Sequence, residues 1–283
     1  MKYKIRLVYR GFRYECMWRP RWRASAFVGA RMAPSHVDGF DAGVGDAERD
    51  RLAHVASGGA KRAAVFVPLL RWRLRLSDGD DDDDDDDDDA RGRDRIDVLL
   101  ESRASTLSSH ASEVSFPGGK FDPSSGDATD LDTAMRESEE EVGLRSADVS
   151  VFGDMDVVLS RHMISVRPIV GEIMNRDFKP VINEDEVAEV FTAPLEMFLE
   201  DDGRHRFDDW AWPNAERAIR VHYFDYKGRV IWGLTAAILI RVASRVYGRE
   251  PAFQEKTDDG VSVWDVYGEN GAARVRRALR SSM

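Results

Sequence analysis

The chain has 283 residues, enough to bury a full hydrophobic core. Its formal charge of −11 sets 41 basic against 52 acidic residues, but Asp78 and the run Asp80–Asp89 account for the excess. The remainder is near neutral, so net charge gives no support to nucleic-acid binding. A single cysteine, Cys16, excludes a disulfide within the chain and suits a reducing compartment. No apolar run is long enough for a membrane-spanning helix.

Residues 1–60 read as a basic, irregular extension. Up to Arg31, nine Lys and Arg residues (among them Lys2, Arg6 and Arg23) face only one acid, Glu15. That pattern fits either a mitochondrial transit segment or a disordered basic arm; Trp18, Pro20, Trp22 and the scarcity of serine weaken the amphipathic helix that a transit segment needs. The domain itself is expected over residues 61–247. Ala63–Pro68 reads as a buried strand, Arg71–Leu76 as a half-exposed one and Ile96–Ser102 as the next. Between them, residues 77–93 carry the aspartate run, which can bury nothing and reads as a disordered insertion in an expanded hairpin loop.

Glu113–Phe116 reads as a short strand entering the tight loop Pro117-Gly118-Gly119. A helix follows from about Asp132 to Val142, with Asp or Thr available as N-cap and Gly143 as C-cap. Strands are expected near Val149–Leu159, Arg167–Glu172 and Val187–Phe191, with a short helix at Pro194–Leu199. Val221–Tyr226 and Arg229–Trp232 form a hairpin about Lys227-Gly228, and Thr235–Tyr247 has helical spacing. Residues 248–283 read as a tail whose one pattern is a short helix from Ala272 to Leu279. Its last three residues, Ser281-Ser282-Met283, faintly resemble a peroxisomal address without the basic middle residue. Mixed strands with helices on both sides imply an α/β fold, an α/β/α sandwich with a mixed central sheet.

The chemistry lies in the helix after the glycine loop. Glu137, Glu140 and Glu141 are spaced i, i+3, i+4 and so share a patch of helix surface, where like charges repel. Read alone, such a patch is as readily a solvated acidic face as a site for a hard cation. The preceding Gly118-Gly119 favours the second reading, because paired glycines let a backbone approach an anion closely.

These residues resemble the Nudix box, G-x5-E-x7-R-E-U-x-E-E-x-G-U with U apolar. Arg136, Glu137, Glu140, Glu141, Gly143 and Leu144 match its second half, and five fixed matches in one window arise by chance roughly once in a million. Ser138 stands at an apolar position. Ala128 stands at the place of the first glutamate, leaving Asp122, Asp127 and Asp130 as alternative acids. The run Val98-Leu99-Leu100-Glu101-Ser102-Arg103, with Leu107, His110, Glu113-Val114 and Phe116–Asp122, resembles the extended motif of coenzyme A diphosphatases, with Ala104 and Ser112 as departures. Similarity continues at Val166–Gly171, Asn183–Phe191, Pro194-Leu195 and Ile231–Ala236.

The resemblance implies a Nudix hydrolase that splits the diphosphate bond of coenzyme A or acyl-CoA. Mg²⁺ or Mn²⁺ would be held by Glu137, Glu140 and Glu141, with no nucleic acid or membrane as partner. Arg136 is expected to hold a glutamate in place, Arg103 to meet a substrate phosphate, and Gly118 and Gly119 to support the site through their amides. Glu186 is a candidate general base, with an ordinary loop acid as the competing reading. The resemblance also implies a mitochondrial or peroxisomal location. Two alternatives remain: a Nudix hydrolase of another nucleoside diphosphate derivative such as NADH or ADP-ribose, and a catalytically silent Nudix-like binding module.

Overall fold

The computed structural model describes residues 3–9, 12–18, 61–72, 95–104, 113–160, 162, 164–210 and 218–267. Strands β1 (Tyr3–Tyr9) and β2 (Phe12–Trp18) pair antiparallel as a two-stranded sheet of their own. This corrects the expectation of an irregular extension at its first residues. Tyr, Ile, Leu and Val alternating with Lys and Arg suit a strand better than a helix, and the basic count masked that period.

The domain is built on one mixed sheet. Its elements are β3 (Arg62–Trp72), β4 (Arg95–Arg103), the short β5 (Val114–Ser115) and β6 (Gly118–Lys120), β7 (Val149–Asp154), β8 (Val158–Leu159), β9 (Ser165–Ile173) and β10 (Val187–Pro194). The strand order is β10-β4-β3-β9-β7, with β5 on β4, β6 on β3 and β8 on β9. Only the β3–β9 pair is parallel among these; the others run antiparallel. The two strands expected at Ala63–Pro68 and Arg71–Leu76 are one continuous β3 as far as Trp72. Trp72 lies opposite Arg95, so the strands flanking the aspartate run are hairpin partners. The run itself lies outside the described residues, as do His110 and the helix expected at 272–279.

Alternate residues of the central strands enter two different cores, because a strand buried on both faces sends successive side chains to opposite layers. Ala64, Phe66 and Leu99 pack with Ala134, Met135 and Val142 of helix α1 (Asp130–Val142). Val67, Val98 and Leu100 pack with Leu239, Val242 and Ala243 of helix α2 (Gly233–Tyr247) and with the 3₁₀ turn Leu195–Leu199. The result is three layers, helix on sheet on helix, as expected. A second sheet of β11 (His205–Trp210), β12 (Ile219–Tyr226) and β13 (Arg229–Trp232) leads into α2. Phe224 is fully buried there, whereas Trp232 is half-buried and stacked on Tyr223.

The segment after residue 247 is not a free tail as far as Tyr267. The Ala252 amide donates to the Leu199 carbonyl, His222 Nε2 meets the Glu255 carbonyl at 2.9 Å, and Phe253 and Trp264 of helix α3 (Val263–Tyr267) pack on the core. Single contacts of this kind carry no period, so the sequence does not show them.

Helix α1 is fixed at both ends. Thr129 is its N-cap and forms a reciprocal capping box with Asp132, while Gly143 closes it in the left-handed conformation at φ 71°. Asp130, buried in the first turn, accepts from Arg62 Nε of β3 at 2.6 Å and from Arg167 Nε of β9 at 2.7 Å. Removing this carboxylate strands buried guanidinium charge, so Asp130→Ala should cost about 3–5 kcal/mol. Thr129→Ala, which removes only a cap, should cost about 1 kcal/mol. Urea unfolding of the two variants checks the order.

Candidate functional site

Helix α1 presents its acids to three different surroundings. Glu141 points into the sheet and is 1% exposed; Glu137 is half-buried, and Glu140 faces outward. The reason is helical geometry. Residues i and i+4 are about 40° apart around the axis, whereas i+3 falls about 60° to the other side. Glu137 and Glu141 therefore share the face toward the sheet, and Glu140 turns toward Arg136, whose Nη1 it meets at 3.0 Å.

The third acid of the cluster comes from elsewhere. Carboxylate oxygens of Glu137, Glu141 and Glu186 all lie within 4.8 Å of one another. Glu186 thus joins Glu137 and Glu141 of the expected trio, while Glu140 lies outside this group. The loop carrying Glu186 is tied across the C-terminus of α1, where the last carbonyls of a helix lack intrahelical donors. The Val181 amide donates to the Val142 carbonyl and the Asn183 amide to the Glu141 carbonyl. The Glu186 carbonyl in turn accepts from the Ala104 amide at the end of β4.

Arg136 contacts acids on either side of it, Asp127 foremost. Its Nε and Nη2 grip Asp127 at 3.0 and 3.1 Å; Nη2 also meets Glu137 Oε1 at 3.0 Å. Asp127 is buried and further held by the Thr133 hydroxyl and the Asp122 amide. Burial works against its ionised form, but these partners outweigh it and hold the Asp127 carboxyl below its ordinary range. Asp122 is occupied in capping the 3₁₀ turn Pro123–Ser125, and Asp130 in its two arginine contacts; Ala128 itself is exposed. Of the three alternative acids, Asp127 is the one in contact with Arg136. Ser138 is accommodated because its buried hydroxyl donates to the Ala134 carbonyl at 2.6 Å.

The two glycines back the acids. The Gly118 amide donates to Glu141 Oε2 at 2.8 Å. At Gly118 a Cβ would sit 2.6 Å from the backbone Cα of Val65, while at Gly119 it would collide with the Glu137 carboxylate. Antiparallel pairing of β6 with β3 brings the loop against the helix in this way. Arg103, at the end of β4 and 23% exposed, lies 3.5 Å from Glu141 Oε1 and 3.9 Å from Glu101 Oε1.

The electrostatics of the metal-free site are costly. Burial pushes the Glu141 carboxyl up to about 9, reinforced by the charge of Glu101, and burial likewise pushes Glu101 up to about 7. Glu137 is also raised, again chiefly by burial. Oε2 of Glu101 is buried with no hydrogen-bond partner among the described residues. Clustered carboxylates, one of them with a bare oxygen, are the donor set that hard divalent cations such as Mg²⁺ or Mn²⁺ take, so the residues present fit such an ion.

A mixed α/β/α sandwich that gathers acids from one helix and a distant loop beside a glycine loop defines the class of the protein. The NUDIX domain pattern matches residues 88–229. Two Arabidopsis thaliana proteins, Nudix hydrolase 15, mitochondrial, and Nudix hydrolase 22, chloroplastic, are 46% and 47% identical to the chain over 164 residues. That is 56% of this chain, and 56% and 53% of theirs. An uncharacterized Nudix hydrolase NudL of Yersinia pestis is 33% identical over 196 residues, 69% of this chain and 84% of its own. The chain belongs to the Nudix family. It spans about half the length of the two Arabidopsis proteins it matches.

Two expectations follow. Unfolded, the Glu141 carboxyl titrates near 4.5; folded and metal-free, near 9. The folded chain keeps a proton that the unfolded chain has lost, so its stability is greatest below that window and falls as pH rises through it. The slope is at most about 1.4 kcal/mol per pH unit for such a group. Thermal unfolding in a chelator should show this decline from pH 5 to 9, and Glu141→Gln should flatten it. The glycines should separate: Gly118→Ala clashes with fixed backbone and should lower the melting temperature, whereas Gly119→Ala displaces a movable carboxylate and should leave it nearly unchanged.

Proposed function

We propose that this protein is a metal-dependent Nudix hydrolase that cleaves the diphosphate bond of coenzyme A and acyl-CoA, giving 3′,5′-ADP and (acyl-)4′-phosphopantetheine. The observation that carries the hydrolase reading is the convergence of Glu137, Glu141 and Glu186 within 4.8 Å beside the Gly118-Gly119 loop. The coenzyme A assignment is supported by the extended run from Val98 to Asp122. A silent binding module, suggested by Ala128, is the alternative that the assays below separate.

A bound Mg²⁺ or Mn²⁺ would acidify a coordinated water and offset the charge of the diphosphate. Glu137, Glu141 and Glu186 are the residues that would hold it. Arg136 keeps Glu137 in register, and Gly118 fixes one oxygen of Glu141 so that the other faces the site. In the reaction, water oxygen bonds to one phosphorus while the bond from that phosphorus to the bridging oxygen breaks, and the leaving phosphate keeps the electron pair. A Glu186 carboxylate oxygen accepts the water proton, reaching the cluster from a loop tied to the end of the helix. Arg103 lies at the rim, where its guanidinium can pair with a substrate phosphate.

An organellar location fits the relatives named mitochondrial and chloroplastic; nothing among these relatives supports the peroxisomal expectation.

Assays of the purified protein with Mg²⁺ or Mn²⁺ against coenzyme A, acyl-CoA, NADH, ADP-ribose and dinucleoside polyphosphates test the reading. The highest kcat/KM is expected for the coenzyme A compounds, and Glu137→Gln and Glu186→Gln should each lower kcat by about 10²–10⁴. Preference for another nucleoside diphosphate would remove the coenzyme A assignment alone. Inactivity on every compound would overturn the hydrolase reading.

A further inference from the structure

His205 and His222 take no part in the reaction proposed above, yet both are buried, on adjacent strands of the small sheet. His205 Nε2 lies 2.9 Å from His222 Nδ1, and His222 Nε2 lies 2.9 Å from the Glu255 carbonyl oxygen. The His205 ring also stacks on Phe253, with 3.7 Å between centroids. Residues 252–255, a strap leading toward α3, are thus held on the β11–β12 hairpin by two imidazoles and, at Ala252, by the bond to the Leu199 carbonyl.

The hydrogens of this pair have one neutral arrangement. A carbonyl oxygen only accepts, so His222 Nε2 carries a hydrogen and, in a neutral ring, its Nδ1 is bare. His205 Nε2 then donates to that Nδ1, which leaves His205 Nδ1 bare, 3.8 Å from Asp201 Oδ1. A first added proton goes to His205 Nδ1, beside the Asp201 carboxylate, and breaks no bond of the chain. A second can go only to His222 Nδ1. There it meets the hydrogen of His205 Nε2 and sets two cationic rings in contact in a buried place, where like charges repel strongly.

The surrounding charges do not offset that second proton. Arg220 of β12, buried over the Phe207 ring, adds positive charge of its own. It occupies Asp209 at 2.7 and 2.8 Å and reaches Asp258 at 3.4 Å. Asp202 is taken by Arg204 at 2.8 Å. The Glu255 carboxyl, pushed up by burial, has Glu250, Lys256, Arg241 and Asp265 as its charged neighbours. Burial holds both histidines below their ordinary value of 6.5, His222 down to about 4. A strap that has come away leaves the rings in water at that ordinary value, so the open form takes up protons first. The closed form is therefore fully favoured above about pH 6.5 and loses ground as pH falls toward 4.

We propose that His205 and His222 form an acid-operated clasp, which holds the strap on the β11–β12 hairpin while the pair carries at most one extra proton and releases it when a second arrives. The clasp is independent of the hydrolase reading.

Imidazole ¹⁵N spectra and hydrogen exchange of the Ala252 amide, followed on the full chain from pH 7 to 4, test it. At neutral pH both rings should carry their hydrogen on Nε2. The first proton should appear on His205 Nδ1 without change at Ala252. Protonation of His222 should coincide with a rise of at least about tenfold in the Ala252 opening constant, while amides of β9 stay protected. His205→Gln supplies an amide that can turn either its N–H or its oxygen to His222 Nδ1, so His222 should titrate nearer its ordinary value with Ala252 opening changed less than about threefold. Asp201→Asn, at the exposed end of the chain of hydrogen bonds, should lower the His205 titration and leave opening tied to His222; it serves if His205→Gln fails to fold. A hydrogen on His222 Nδ1 at neutral pH, an Ala252 opening constant flat down to pH 4, or β9 amides that open in step with Ala252 would overturn the clasp.

Discussion

Carboxylates held within a few ångströms of one another in a half-buried corner repel, and everything else at this site exists to withstand that repulsion. Glu137 and Glu141 cannot move apart because they share one helix face, and Glu186 cannot withdraw because its loop is hydrogen-bonded to the end of the same helix. The helix is in turn fixed to two strands of the sheet through Asp130, Arg62 and Arg167. Backbone hydrogen bonds and a buried ion network, both stiff, therefore oppose a Coulombic force that water screens poorly at this depth. Burial raises the Glu141 and Glu101 carboxyls above their ordinary range, and the neighbouring acids add to it.

The same framework explains why the glycine loop is needed. Glycine at 118 lets a strand edge approach the helix closely enough for its amide to steady Glu141. Glycine at 119 leaves space for the Glu137 carboxylate. The loop thus acts on the acids, and through them on whatever the acids bind. Arg136 does comparable work from the other side, satisfying Asp127 while keeping Glu137 and Glu140 in separate directions.

Much of this was legible in the sequence, and the omissions have physical causes. Helix α1, its caps and the strands around it follow from period and punctuation, and the fold class follows from their alternation. The local spacing of Glu137, Glu140 and Glu141 showed a shared patch but not which two members face the sheet, because that depends on how the helix rolls against β3 and β4. Glu186 could be named only as a candidate, since 45 positions of chain separate it from Glu141 and nothing local records their meeting. Glu101 passed as an ordinary strand residue. On a central strand both faces are buried, and a single acid among Leu99, Leu100 and Ser102 gives no sign of which layer it enters.

Asp127 carries a consequence for how such proteins drift over time. Arg136 grips a carboxylate that arrives at the right point in space, and it does so here from a residue one step out of the customary count. The connector between the glycine bend and the helix is therefore free to gain or lose residues, provided that some acid still reaches the guanidinium. A longer segment that still brought an acid to the guanidinium would keep this contact, whatever its count of residues.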